Sequence, residues 1–210
     1  NNVKFSYLKG YQTNSEFIIT GAINFYKTDA LLTNVAFNKT ISEDALNIVS
    51  SKFNIKNIEF NESMSDSIDL DFSNGTMYKA KFTNIGNDAI DFAESNVEAS
   101  NIYFDQVGDK LISIGENSNI KISNIKAQKS YVGIASKDGS IVTASNILMK
   151  NVKLPFLSFN KKFEYKPSTL YLTNIDVSEF YEKWVTDKNS KIFFNDSKVG
   201  IISKNIIPVV

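Results

Sequence analysis

The chain has no cysteine and no histidine, and no arginine occurs anywhere in its 210 residues. Without cysteine there are no disulfides, no thiol chemistry and no thiolate metal sites. The redox compartment stays open, because a long β stack is stable without staples. Without histidine, imidazole bases, Ser-His-Asp hydrolysis and imidazole metal centres are excluded within this chain. All 23 basic residues are lysines, balanced by 23 acids to a formal net charge of zero. No basic stripe marks one face, which argues against nucleic acid as a partner. Proline numbers only 3 and glycine 9, with no linker among them, so the chain reads as one domain able to build a continuous core. No run approaches the roughly 18 apolar residues of a membrane span, so membrane insertion is not expected. Asn1-Asn2-Val3 opens the chain without a signal-peptide pattern and reads as the start of a trimmed or excised domain, for which secretion stays open.

What is present is a repeat. Asp44-Ala-Leu-Asn-Ile48, Asp66-Ser-Ile-Asp-Leu70, Asp88-Ala-Ile-Asp-Phe92 and Asp109-Lys-Leu-Ile-Ser-Ile114 are copies of one acidic turn followed by one apolar strand. A second strand keeps step with them in Val35-Ala-Phe37, Ile58-Glu-Phe60, Ala80-Lys-Phe82, Ile102-Tyr-Phe104 and Ile125-Lys-Ala127. The phenylalanines at 37, 60, 82 and 104 are 22 or 23 residues apart, a period that belongs to stacked coils and not to one amphipathic element. Each copy consists of short alternating segments separated by Asn, Ser, Asp and Gly, which leaves no room for a helix. One coil cannot bury its apolar side alone. Coils stacked about 4.8 Å apart share backbone hydrogen bonds and pool their inward side chains.

The predicted fold is therefore all-β: a single-stranded parallel β-helix of about 22 residues per coil, triangular in section, with seven to eight coils over residues 21–177. Right-handedness is expected because parallel crossover connections have that hand. Residues 1–20 are expected to form an N-terminal cap or lead-in coil, and residues 178–210 a C-terminal cap. Trp184, with Phe180, Tyr181, Phe193 and Phe194, would cover the end of the stack. A column of Asn34, Asn57, Asn101, Asn124, Asn146 and Asn174 precedes an Ile or Val in each coil. Buried amides bonded from coil to coil would account for it, with a break and an outward turn at Lys79.

Strand alternation sends Asp69 and Asp71, then Asp91 and Ala93, then Ser113 and Gly115, then Gly133 and Ala135 outward. Asp69 should stack on Asp91. Glu94, Glu116, Lys137 and Asp138 follow the strand, and Asp44, Asp66, Asp88 and Asp109, with Lys110, lie near its start. The face thus begins acidic and becomes mixed in charge. Like charges one coil apart need a proton, a lysine or a cation between them. Lys110 and Lys137 are candidates, and Ca²⁺ held by Asp69, Asp71 and Asp91 is another. Ligand-binding candidates are Asp69, Asp91, Glu116, Lys137, Asp138 and Lys161. The stretch Lys161-Lys-Phe-Glu-Tyr165 reads as a loop where the coil count slips.

Taken in order, Gly21-Ala-Ile-Asn-Phe-Tyr26, Asp44-Ala-Leu-Asn-Ile48, Asp66-Ser-Ile-Asp-Leu-Asp-Phe72, Gly108-Asp-Lys-Leu-Ile-Ser-Ile-Gly-Glu116, Gly133-Ile-Ala-Ser-Lys-Asp-Gly-Ser140 and Lys161-Lys-Phe-Glu-Tyr165 resemble the right-handed parallel β-helix repeat proteins of bacterial cell-surface and polysaccharide-associated systems. The wider pectate-lyase-like class includes sugar-binding and sugar-cleaving members. Asn87-Asp-Ala-Ile-Asp91 and Gly108-Asp-Lys-Leu-Ile-Ser-Ile-Gly115 look like the Gly-Asp-Asp motif of polygalacturonases, but Ala89 and Lys110 stand where its second aspartate would be. The Gly-His-Gly and Arg-x-Lys segments of that family, and the arginine base of pectate lyases, have no counterpart.

The resemblance implies an extracellular or cell-surface module that binds a polysaccharide or a surface protein without catalysis. Two alternatives stay open. One is a polysaccharide-modifying hydrolase or lyase/epimerase, with Asp69, Asp71, Asp91 or Glu116 as acid or nucleophile and Lys110, Lys137 or Lys161 as base or charge neutraliser. The other is a structural spacer.

Overall fold

The computed structural model describes residues 2–10 and 20–202. Among them there is no helix. The strands are β1 (Val3–Ser6), β2 (Gly21–Tyr26), β3 (Ala30–Thr40), β4 (Asp44–Val49), β5 (Lys52–Ser63), β6 (Asp66–Asp71), β7 (Asn74–Ile85), β8 (Ile90–Ala93), β9 (Asn96–Gly115), β10 (Asn119–Lys137), β11 (Ile141–Phe159), β12 (Thr169–Ser178), β13 (Trp184–Thr186), β14 (Lys191–Phe194), β15 (Ser197–Val199) and β16 (Ile201–Ile202). One path of neighbours runs β1-β3-β5-β7-β9-β10-β11-β12, and a second runs β2-β4-β6-β8 into β9. Every pairing along both is parallel, with partners 22 or 23 residues apart except at β1–β3, where they are 32 apart, and at β11–β12, where they are 28 apart, so the chain is a β-solenoid of about eight turns.

Backbone bends give each coil its shape. Residues in the left-handed region fall into three columns: Lys27, Ser50, Phe72, Glu94, Glu116 and Asp138; then Asn34, Asn57, Lys79, Asn101, Asn124, Asn146 and Asn174; then Lys39, Glu62, Asn84, Gln106, Lys129, Asn151 and Glu179. Three such bends per coil divide it into three faces. The first carries β2, β4, β6, β8 and the ends of β9, β10 and β11. The second carries residues such as 53–56, 75–78 and 97–100, and the third residues such as 58–61, 80–83 and 102–105. Asparagine tolerates positive φ better than other side-chain-bearing residues, which explains its dominance at the second bend. Lys79 adopts the same conformation at φ 61° and is exposed.

The asparagine column differs from expectation in one respect: it lies outside the coil. Asn57 Nδ2 donates to Asn34 Oδ1 at 2.8 Å, and Asn174 Nδ2 donates to Asn146 Oδ1 at 2.7 Å, both in exposed settings. A left-handed corner turns its side chain to solvent, so the buried ladder is built from a different residue. Ser51, Ser73, Ser95, Ser118, Ser140, Ser168 and Ser190 are all buried. The backbone N–H of Ser73 donates to Ser95 Oγ at 3.0 Å, and that of Ser95 to Ser118 Oγ at 3.0 Å. Ser51, Ser73, Ser95, Ser118 and Ser140 thus each accept a backbone N–H from the previous coil at the first bend, while Ser168 Oγ donates to the carbonyl of Ser136 at 2.9 Å.

The phenylalanines nest as a column. Phe37, Phe60, Phe82 and Phe104 are register partners with ring centroids 4.7, 5.3 and 5.1 Å apart in succession. Phe5 begins the column at 5.2 Å from Phe37, so β1 is already a stacked strand. The tail past Ser178 also continues the stack: β13 pairs with β11 and β14 with β12, before β15 turns back antiparallel on β14. Within the expected aromatic end cluster, Trp184 packs between Phe156 and Phe194 at 5.6 Å from each. Phe180 and Tyr181 are exposed instead, and Phe193 stacks outside on Tyr171.

Candidate functional site

The first face carries the acids. Asn24, Asn47, Asp69, Asp91 and Ser113 are register partners in successive coils, so Asp69 does stack on Asp91. Asp44 and Asp66 form the next column toward the start of the strand. Oxygens of Asp66, Asp88 and Asp91 all lie within 4.8 Å of one another. This group shares Asp91 with the expected calcium set, while Asp69 and Asp71 stand outside it. A glycine column permits the tight return into this face: a Cβ on Gly108 would collide with the carbonyl oxygen of Gly86, and one on Gly86 with that of Met64.

The hydrogen bonds show how the chain tolerates the crowding. Asp66 Oδ1 accepts the backbone N–H of Asp88 at 2.9 Å and Asn87 Nδ2 at 2.7 Å. Asp88 Oδ1 accepts the backbone N–H of Lys110 at 2.9 Å, and the Lys110 ammonium lies 3.4 Å from the same oxygen and pairs with Asp109. Asn47 Nδ2 reaches Asp69 Oδ2 at 3.3 Å and Asp44 Oδ2 at 3.4 Å. Burial, followed by the charges of Asp71, Asp44, Asp91 and Asp66, pushes the Asp69 carboxyl up to about 9. Burial first also raises Asp44, Asp66 and Asp71 to about 6, and Asp88, despite Lys110, to about 7. Burial works against the charge of Lys110, but Asp88 and Asp109 outweigh it and hold its pKa above the ordinary value. Lys110 is therefore a charge neutraliser and a poor base.

The later part of the face departs from the expected mixed-charge surface. Val132, Ala135, Leu157 and Phe159 are buried there in a cluster apart from the solenoid core, with Leu154 and Val185 against it. Glu116, Asp138 and the loop at 160–167 form one assembly. Asp138 is 1% exposed, and its Oδ1 accepts the backbone N–H groups of Lys161 and Lys162 at 2.7 Å each. Lys162 Nζ pairs with Glu116, and Tyr165 Oη lies 3.5 Å from Glu94 Oε1. The loop thus reaches back along the first bend, holding Phe163 98% exposed. Asp138 and Glu116, expected as ligand contacts, are engaged with the loop, and buried Asp138 presents no free surface. Lys137 lies beside Gly115, whose Cβ would be 3.5 Å from Lys137 Cε. Lys161 is exposed.

A second candidate lies on the second face and escaped sequence reasoning. Thr76, Tyr78, Glu98, Ser100, Lys121, Ser123, Thr143 and Ser145 line an open groove of about 410 Å³. Thr76, Glu98, Lys121, Thr143 and Tyr171 are successive partners in one column, and Tyr78, Ser100, Ser123, Ser145 and Thr173 in the next. Lys121 Nζ donates to Glu98 Oε1 at 2.9 Å across the rungs. Tyr78 stands 51% exposed toward one end, and Tyr171, stacked on Phe193 at 5.2 Å, stands 42% exposed toward the other. One of its columns changes residue type from coil to coil, and the other repeats serine at 100, 123 and 145, a repeat masked by the abundance of serine in the chain. Comparisons with family models, curated proteins and solved structures give no match.

Proposed function

We propose that this chain is a cell-surface or extracellular β-helix module of the polysaccharide-associated, pectate-lyase-like kind, and that it binds an extended glycan along its second face. The groove between Tyr78 and Tyr171 carries this reading. Sugar recognition combines hydrogen bonding to hydroxyls with apolar contact between sugar C–H faces and aromatic rings. The groove offers serine and threonine hydroxyls and the exposed Tyr78 ring in its lining, and the exposed Tyr171 follows Thr143 in the next coil beyond it. Rungs repeat about every 4.8 Å along the stack, close to the length of one sugar in an extended β-linked chain, so contacts recur in step with the polymer. The Glu98–Lys121 pair balances the groove's charge, which favours a neutral glycan over a polyuronate.

Binding of the folded protein to neutral and acidic polysaccharides, measured on a glycan array and by affinity electrophoresis, tests this. Tyr78→Ala and Tyr171→Ala should each weaken binding several-fold with circular dichroism unchanged, because each removes an aromatic contact worth about 1 kcal/mol. No binding by the folded wild type, or equal binding by both variants, defeats the proposal. Conversion of a bound polymer into unsaturated or newly reducing products, lost in Asp91→Asn, would move the assignment to the enzyme alternative on the first face.

A further inference from the structure

Just past the third bend, where the chain returns to the first face, lies a cavity of about 260 Å³. Its lining includes Gly108, Lys129, Tyr131, Asn151 and Lys153, and no carboxylate. An irregular register opens it. Ser130 pairs with Val107 and Val132 with Lys110, so Tyr131 stands opposite both Gly108 and Asp109. The Asp109 carboxylate is taken by Lys110. Gly108 brings no side chain, and the carbonyl oxygen of Gly86 would obstruct one. The wall beside the Tyr131 ring is thus left open by the backbone itself, and that ring is 39% exposed.

A separate observation concerns charge. Lys153 lies opposite Tyr131 in the next coil, and its ammonium is 5.2 Å from the centroid of the Tyr131 ring and 5.8 Å from that of Tyr181. Two aromatic rings hold this cation without cancelling its charge. Among the described residues no carboxylate pairs with Lys153, and the nearby Glu182 accepts the backbone N–H of Lys183 instead. Lys129 approaches Asp105 only to 3.9 Å, beyond hydrogen-bond distance. In a chain whose formal net charge is zero, two ammonium groups around one acid-free cavity are a local excess of positive charge.

We propose that this cavity binds a phosphate monoester, with the phosphate held by Lys129, Lys153 and the Asn151 amide and the group that carries it resting on Tyr131. Such a phosphate has about −1.5 to −2 charge at pH 7 and three strong acceptor oxygens. Two ammonium groups and one amide match it in charge and in number of donors. A carboxylate, with one charge and two oxygens, leaves a donor unused. Asp105 is the protein's own competitor for Lys129. The phosphate could be borne by a soluble compound or by a lipid headgroup, and both present the same chemistry to the cavity. The cavity lies on a different part of the coil from the glycan groove, so either proposal can fail without the other.

Titration of the folded chain with phenyl phosphate, followed by amide chemical shifts in nuclear magnetic resonance, is the test, with benzoate as the carboxylate control. We expect saturable shifts at Gly108, Lys129, Tyr131 and Lys153 with phenyl phosphate, weaker binding of benzoate, and loss of affinity as NaCl is raised. Lys153 is exposed, so Lys153→Gln should leave the fold intact while weakening binding roughly ten-fold. Asp105→Asn should tighten it several-fold by releasing Lys129, a gain that damage to the fold would not produce. Absence of saturable shifts with phenyl phosphate overturns the site, as does unchanged affinity in Lys153→Gln. Benzoate binding as tightly as phenyl phosphate overturns the phosphate assignment. Glucose 6-phosphate and vesicles containing phosphatidic acid separate the two sources, and Lys153-dependent binding of either one upholds the site and names its ligand.

Discussion

At the scale of single residues, the molecule turns on where a polar side chain finds its compensation. Asp69 has only Asn47 as a hydrogen-bond donor to its side chain among the described residues, and its carboxyl is pushed up to about 9. The unfolded chain releases that proton near pH 3.9. Between those values the folded state binds more protons than the unfolded one, so stability present in acid is lost as pH rises toward about 9. With chelator present, Tm should fall from about pH 5 to about pH 9. Asp69→Asn should lie above wild type at the alkaline end and show a flatter profile. Asparagine already occupies the same column at Asn24 and Asn47, so the variant extends an existing pattern; an unaltered slope would contradict the account. The serines are the opposite case. Ser95 Oγ accepts the N–H of Ser73, and its single O–H is shared between the carbonyl oxygens of Leu70 and Ala93 at 2.8 and 2.9 Å. Ser95→Ala should cost about 1–3 kcal/mol in denaturant unfolding, because it leaves a buried N–H without an acceptor.

At the scale of elements, coils are specified by columns, and columns differ in legibility. Phe37, Phe60, Phe82 and Phe104 were readable because one large apolar side chain recurs at one step, and only the interior can hold it. The asparagines were readable as a column but not as an exposed one, since a left-handed corner decides their direction and periodicity does not report φ. The serine ladder has the same step in the sequence but is masked by the abundance of serine. Asp66, Asp88 and Asp91 combine two columns, a relation that stacking alone does not reveal. The loop at 160–167 was visible as a slip in the count, since Asn146 to Asn174 spans 28 residues, but its anchors were not. Asp138→Ala removes the acceptor for two loop N–H groups. Hydrogen exchange should then lose protection at Lys161 and Lys162 while β9 and β10 keep theirs. Loss of protection throughout the stack would show that the aspartate supports the coils and not the loop.

At the scale of the whole molecule, each coil touches only its neighbours, so stability is a sum of interfaces and those interfaces are unequal. On the first face the inward column Phe25, Ile48, Leu70, Phe92, Ile114 becomes Ser136, Ser158, Thr186. The neighbouring inward column stays apolar at Ile134, Phe156 and Trp184, and the cluster around Ala135 and Leu157 adds apolar burial on the outer side. Residues past 178 contribute strands of two to four residues, β13 to β16, with Ile201 and Ile202 exposed at the edge. The middle coils, by contrast, are paired on both sides and filled by the phenylalanine column. Local opening follows the density of buried apolar contact, so native-state hydrogen exchange should find the amides of β6, β8 and the central part of β9 slowest. Those of β12 to β15 should open separately and at lower free energy. A single opening free energy shared by Leu70, Ile112 and Ile192 would mean that the stack unfolds as one unit and that the change of inward column carries no energetic consequence.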